Sequence, residues 1–233
     1  MHRHHDRPKL ERQVSLALRR VRQHGPSEAL FWIIALGIGT VAGFAALSFR
    51  QGILMLEHLL YDAQNHAVLT AAAQMPWWAL VVIPATGGLV VGLLLHRYTP
   101  DGRVRAVADV IEGAALHRGR VEVKEGLVSA LACMITLGSG GSAGREGPVV
   151  HLAAVISTRV ADRIHASGIT GRDLLGCAVA AAVSASFNAP IAGAIFAMEV
   201  VLRHYALHAF APIAIASIMG TLVNRLAFGD IAE

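Results

Sequence analysis

Charge is scarce in this chain. Only 15% of its 233 residues are Asp, Glu, Lys or Arg, against about a quarter in a soluble domain. Cysteine is almost missing: Cys133 and Cys177 are the two, and both fall inside apolar segments. That argues against a disulfide framework or a cysteine metal centre and leaves them as small buried hydrophobes. The period-two alternation of half-buried strands is not found, nor are low-complexity linkers. A secretory signal peptide is not expected, because the leading basic region is too long and no small-residue cleavage site follows a short apolar core. What is present is apolar: 55% of the residues are hydrophobic. A helical membrane protein of several spans, each needing about 20 apolar residues, fits this balance.

Residues 1–28 are polar and basic, with Arg3, Arg7, Lys9, Arg12, Arg19, Arg20 and Arg22. Leu10, Val14, Leu18 and Val21 recur at helical spacing, which predicts a short surface helix. The positive-inside rule places this end in the cytoplasm, in an inner or plasma membrane. This local basic excess accounts for the formal charge of +4 without a nucleic-acid partner. His2, His4 and His5 cluster there, but a solvated terminus is the reading adopted, and no metal site is expected.

Residues 29–233 read as one membrane domain. A long apolar segment covers about 29–60, with Gly37, Gly39 and Gly43 as points of close helix approach. Arg50 and Glu57 near its end suggest a tilted helix entering a polar layer. A polar loop, Asp62–Gln74, precedes Trp77 and Trp78, which head a second run to Leu95. Val104, Val107, Val110, Ile111 and Ala114 predict a short amphipathic helix. Two short apolar segments follow, about 126–137 and 148–161, separated by a glycine-rich bend. Such paired, interrupted segments are the mark of broken helices meeting at mid-membrane. A short alanine-rich helix (173–186), a break at Ser186-Phe187-Asn188-Ala189-Pro190, a helix over 190–202 and an apolar run over 209–228 complete the chain.

The bend, Gly138-Ser139-Gly140-Gly141-Ser142-Ala143-Gly144-Arg145-Glu146-Gly147-Pro148, sets an arginine and a glutamate between segments that enter a membrane. Ionisable residues at that depth mark ion paths, proton relays or ligand sites. Pro148 and the apolar run after it predict a helix N-terminus, which offers free N–H groups and a positive dipole end to an anion. Gly140–Gly144 also fits G-x-S-x-G, the nucleophile elbow of hydrolases, but both flanks read as helix and His151 follows too closely. The P-loop ending is missing too, and an enzyme is not expected.

The same bend resembles the second signature of the CLC family of chloride channels and proton-coupled chloride exchangers. Ser186-Phe187-Asn188-Ala189-Pro190-Ile191-Ala192-Gly193-Ala194-Ile195-Phe196-Ala197-Met198-Glu199 looks like the family's following stretch. The resemblance covers about residues 30–228. It implies an all-α, polytopic membrane protein of broken and tilted helices, equivalent to the first of the two inverted repeats of the CLC fold. It implies chloride as the transported ion, no bound cofactor, a lipid bilayer as surroundings and a homodimer when complete. Glu146 matches the gating glutamate, whose carboxylate competes with the anion. Gly144, Arg145, Gly147 and Pro148 would surround the anion, with Arg145 raising the local potential or holding the loop.

Three departures from the family pattern stand out. Gly102, in Asp101-Gly102-Arg103-Val104-Arg105, falls where the family usually has an anion-contacting serine, and Arg105 where it has a proline. Val200 occupies the place of a proton-carrying glutamate, which favours a passive channel or leaves Glu199 as a possible proton path. Glu199 is otherwise expected to pair with Arg203 one turn later. The chain also ends after what resembles the first half, so a non-transporting fragment or structural subunit is the remaining alternative.

Overall fold

The structure is a computed structural model, and it describes residues 28–62, 73–203, 205 and 207–228. The basic N-terminal segment with its histidines, and most of the Asp62–Gln74 loop, lie outside the described residues. Eight α-helices are present among the described residues: α1 (Glu28–Tyr61), α2 (Trp77–Tyr98), α3 (Val107–Leu116), α4 (Val123–Gly138), α5 (Glu146–Ile164), α6 (Gly168–Phe187), α7 (Pro190–Phe196) and α8 (Leu207–Phe228). A π-helical turn, Ala197–Leu202, continues α7. No strand is present among the described residues. Among the described residues three helices are long and apolar enough to cross a membrane: Ala29–Tyr61, Trp77–Tyr98 and His208–Ala227.

α6 is the centre of the packing, with α1, α5, α7 and α8 around it. Its residues Leu174 to Ala182 are buried without a break. A helix buried on every side needs no polar face, and alanine keeps it thin enough for four neighbours to approach. The tightest crossing joins three helices. A Cβ on Gly220 of α8 would run into the Ala181 backbone of α6, and one on Gly43 of α1 would lie 3.2 Å from the Gly220 Cα. Gly39 meets the Ala216 backbone in the same way, whereas Gly37 faces open space. Two of the three glycines expected at close approaches are therefore at them.

Buried hydroxyls tie the same region together. Ser217 on α8 donates to the Pro190 carbonyl at the start of α7 and is hydrogen-bonded to Ser184 on α6. Arg225 near the end of α8 donates to the Asn188 side chain, 2.9 Å away, where Asn188 caps α6 in a left-handed conformation.

Several helix ends differ from the sequence expectation: α3 opens at Val107 and not Val104, α4 opens at Val123 and not near 126, and two further ends have a plain cause. α6 begins at Gly168, earlier than residue 173, because Ser167 caps it and accepts from the Thr170 N–H at 3.3 Å. α5 runs to Ile164 and is longer than its apolar stretch, since its last turns, with Arg159, Asp162 and Arg163, are polar but remain helical.

Candidate functional site

The bend between α4 and α5 is two devices in series. Its first half ends α4. Gly141 N–H donates to the Thr136 carbonyl (2.8 Å) and Gly140 N–H to the Leu137 carbonyl (3.0 Å). This crossed pair is a Schellman cap, and Gly140 takes the left-handed position it needs, at φ +85°. Tyr61, the last residue of α1, braces the bend by donating to the Ser139 carbonyl at 2.8 Å. The second half opens α5. Glu146 is its first residue, Gly147 follows, and Pro148 is buried within the first turn. A proline there loses no hydrogen bond, and the first amides of the helix have no partner inside it. α4 and α5 flank Ser142, so the strand-to-helix setting of a nucleophile elbow is not met.

Glu146 stands partly exposed, and its carboxylate accepts from Arg145 Nε at 3.1 Å. Among the described residues Arg145 is its hydrogen-bond partner. Both side chains are open enough that the pair contributes at most about 1 kcal/mol, a bond weak enough to break. The Gly144 carbonyl accepts from the Cys133 thiol at 3.4 Å, and nothing stands within 4 Å of a Cβ placed on Gly144.

Arg145 also lines a cavity of about 470 Å³ beneath the bend. Its other polar walls are Arg50 and Glu57 of α1 and Ser186 at the end of α6. Phe49, Ile53 and Val149 supply apolar wall. Arg50 and Glu57 are seven residues apart, which puts them on one face of a helix two turns apart. Two guanidinium groups against one carboxylate give the lining a formal charge of +1. From sequence alone, Arg50 and Glu57 suggest a tilted helix entering a polar layer. Their shared spacing was the signal that they face one chamber.

A second helix N-terminus meets the first. A Cβ on Gly147 would lie 3.5 Å from Ala106 and 3.8 Å from the Val107 nitrogen. Ala106 caps α3, so the starts of α3 and α5 converge at Gly147. Gly102 lies four residues ahead of that cap, in a left-handed turn at φ +65° with open space around it. The structure thus sets Ala106, not Gly102, against the α5 terminus. The apolar spacing that begins at Val104 predicts helix there, whereas α3 starts at Val107, so the placement of Ala106 follows from packing and not from the pattern. A hydroxyl is nonetheless close: buried Ser129 of α4 accepts from the Arg105 N–H at 2.8 Å.

A charged cluster holds the α3 terminus in place. Arg103 donates to Asp101 and Asp109 (2.6 Å each), and Arg105 donates to Asp101 and Glu122 (2.8 Å each). Asp109 reaches back to accept from the Ala106 N–H at 2.7 Å, one arm of a capping box. Burial alone raises the Asp109 carboxyl; the Ala106 and Arg103 hydrogen bonds and the charges of Arg103 and Arg105 outweigh it and hold it below its ordinary 3.8. A depressed folded-state value means stability that is complete above 3.8 and is lost as pH falls through the folded value. Thermal unfolding in detergent, followed from neutral pH to about pH 3, is expected to show this acid loss. Asp109→Asn is expected to flatten the curve, and an unchanged slope would count against the cap.

Glu199 corrects an expectation. Its carboxylate accepts from Tyr205 at 3.2 Å, and among the described residues it forms no ion pair with Arg203. Arg203 is left-handed, at φ +58°. It ends the π turn, and that wider turn breaks the i to i+4 relation on which the pairing rested. Val200 beside it is exposed.

Taken together, the long apolar helices and the shorter broken helices that meet end to end define a polytopic, all-helical membrane protein. Sequence and fold comparisons agree on which one. Residues 87–232 match the family described as "Voltage gated chloride channel". The chain is 32% identical over 199 residues to the "Voltage-gated ClC-type chloride channel ClcB" of Yersinia pseudotuberculosis (strain IP32953), covering 84% of this chain and 48% of that protein. It is 32% identical over 201 residues to the same-named protein of Escherichia coli O139:H28, covering 83% of this chain and 46% of that one. The fold is similar to that of a slow cyanobacterial Cl⁻/H⁺ antiporter (TM-score 0.71, 20% identity, 87% of this chain and 48% of that chain). It is also similar to that of a CLC-type fluoride/proton antiporter (TM-score 0.66, 22% identity, 86% and 47%). The chain belongs to the voltage gated chloride channel (CLC) family, and it spans about half the length of the curated relatives it matches.

Proposed function

We propose that this chain contributes the N-terminal half of a glutamate-gated pathway for chloride or a similar small anion. The observation that carries the reading is the convergence of the α3 and α5 N-termini at Gly147, with Glu146 beside it. Two sets of free amides and two positive dipole ends replace part of an anion's hydration shell. In the pore the Glu146 carboxylate competes with chloride for those amides, and Arg145 is its resting partner when it swings away. Protonation weakens both attachments, so acid opens the path. The chamber lined by Arg145 would give anions a way in at one mouth.

Val200 offers no carboxylate at the family's usual proton position, which favours passive conduction over proton-coupled exchange. The complete protein would be a homodimer in a cell inner or plasma membrane, its N-terminus cytoplasmic. α7 and α8 would be its contact surface, through small residues and exposed Ile191, Ile195 and Ile218.

The test is chloride efflux from proteoliposomes containing the 233-residue chain, alone and with the C-terminal half of a relative, with external pH recorded. Efflux without proton movement is the expected result once both halves are present. Efflux that drives protons would establish exchange in place of conduction. No efflux in either preparation would leave a structural subunit.

A further inference from the structure

α3 and the segment before it, the head of α4 and the second turn of α5 line a second cavity, of about 410 Å³. Its wall is charged almost throughout. Arg103 and Arg105 enter from the segment before α3, and Asp109 and Glu112 from α3 itself. His117 and Arg120 come from the turn after α3, and Glu122 from the residue that caps α4. His151 lines it from α5. A polar space of this size has room for several waters, each occupying about 30 Å³.

His151 is the residue that needs explaining. Only 1% of it is exposed. Its Nε2 lies 3.5 Å from the Glu122 carbonyl oxygen, the outer limit of a hydrogen bond, and its Nδ1 has no hydrogen-bond partner among the described residues. The space for the ring is specific: a Cβ on Gly126 would stand 2.5 Å from the His151 Cδ2. An unsatisfied buried nitrogen costs about 1–3 kcal/mol. The ring lines the polar cavity, and a water there within reach of Nδ1 would remove that cost.

We propose that this cavity is a proton-binding site, entered by water and ending at His151. Nδ1 takes a proton from hydronium and leaves water behind, while the Nε2 proton stays directed at the Glu122 carbonyl; release is the reverse. Imidazole is the side chain whose unperturbed titration falls near neutral pH. Burial is the largest influence and opposes the imidazolium, as does Arg105; the Glu122 and Ala106 main chain and the Asp109 carboxylate favour it. Among the other groups lining the cavity, the Glu112 and Glu122 carboxylates add to the favourable side, and Arg103, Arg120 and a charged His117 to the other. The arginines are already held by carboxylates: Arg103 and Arg105 by Asp101, Asp109 and Glu122, and Arg120 by Asp162 at 2.7 Å. Glu112 forms no ion pair among the described residues and is the carboxylate left to favour the charged ring.

His151 and Glu146 share α5, separated by about 7.5 Å along the axis and about 140° around it, which sets them on different faces. The link between them is therefore electrostatic and involves no direct hand-off of the proton. A charged His151, close to the Ala106 main chain, adds positive potential behind both converging helix ends and strengthens their hold on an anion. This consequence rests on the anion-site reading above; the proton site itself does not.

Hydrogen–deuterium exchange at the histidine C2 position, read by mass spectrometry on the full chain in lipid nanodiscs from about pH 5 to 9, tests the proposal. The His151 peptide is expected to exchange with a single sigmoidal pH dependence, and Glu112→Gln is expected to move its midpoint to lower pH. A His151 that does not exchange, or whose rate shows no inflection, overturns the proposal. Titration of His151 without chloride binding at any pH supports the proton site and counts against the anion site. Chloride binding of equal affinity on both sides of the midpoint overturns the electrostatic link.

Discussion

Glu146→Gln is expected to tighten chloride binding to this chain by about tenfold or more. The reasoning is competition. A carboxylate tethered at the mouth of α5 has a high effective concentration at the amides of Glu146 and Gly147, so chloride binds only in the fraction of molecules where the side chain is elsewhere. Glutamine keeps the size and loses the charge, so it neither fills the amides as an anion nor holds Arg145. Freed from the 3.1 Å contact with Glu146, the Arg145 guanidinium adds its full charge to the chamber below. Isothermal titration with chloride on wild type and variant at neutral pH reads the difference. In wild type the affinity should also rise as pH falls, because protonation mimics the substitution; in Glu146→Gln that part of the pH dependence should vanish. An unchanged or weaker affinity in the variant would remove Glu146 from the gating role.

Gly220→Val is expected to be the most damaging substitution in the packing. Its Cβ overlaps the Ala181 backbone, and backbone cannot give way as a flexible side chain can. Either α8 moves off α6 or the crossing of α1, α6 and α8 opens as a whole. Overpacking of this kind costs about 3 kcal/mol, which lowers the unfolding midpoint by about 6–12 °C in a chain of this size. The contrasting variant is Gly37→Ala, where a Cβ meets nothing within 4 Å and helix propensity improves. Its midpoint should hold or rise slightly. Thermal unfolding of both in one detergent, followed by size-exclusion fluorescence, gives the comparison. Equal behaviour of the two variants would show that the Gly220 crossing is looser than described.

Much of the site could be read before the fold was known. Glycine, serine and proline in the bend announce a helix stop and a helix start, because capping depends on φ and on the nearest few hydrogen bonds. Arg145 and Glu146 are neighbours in sequence, so their pairing is local as well. Ala106 was not legible. The apolar spacing put it inside a helix beginning at Val104, whereas it precedes α3, and its contact with Gly147 joins residues about forty positions apart. Glu199 was misread because its expected pairing assumed a regular α-helix where a π turn forms.

The sequence by itself determined that the chain is helical, that it enters a membrane, where most helices lie and that Glu146 opens one of them. These follow from composition, from 3.6-residue periodicity and from local caps, all short-range effects. The tertiary structure alone decided which two helix ends meet, that Arg50 and Glu57 share a chamber with Arg145, and that His151 is sealed beside a charged cavity. Those facts depend on how closely α1, α6 and α8 cross and how α3 folds back onto α5. Close approach is set jointly by small residues on several helices, and no single stretch of sequence carries it.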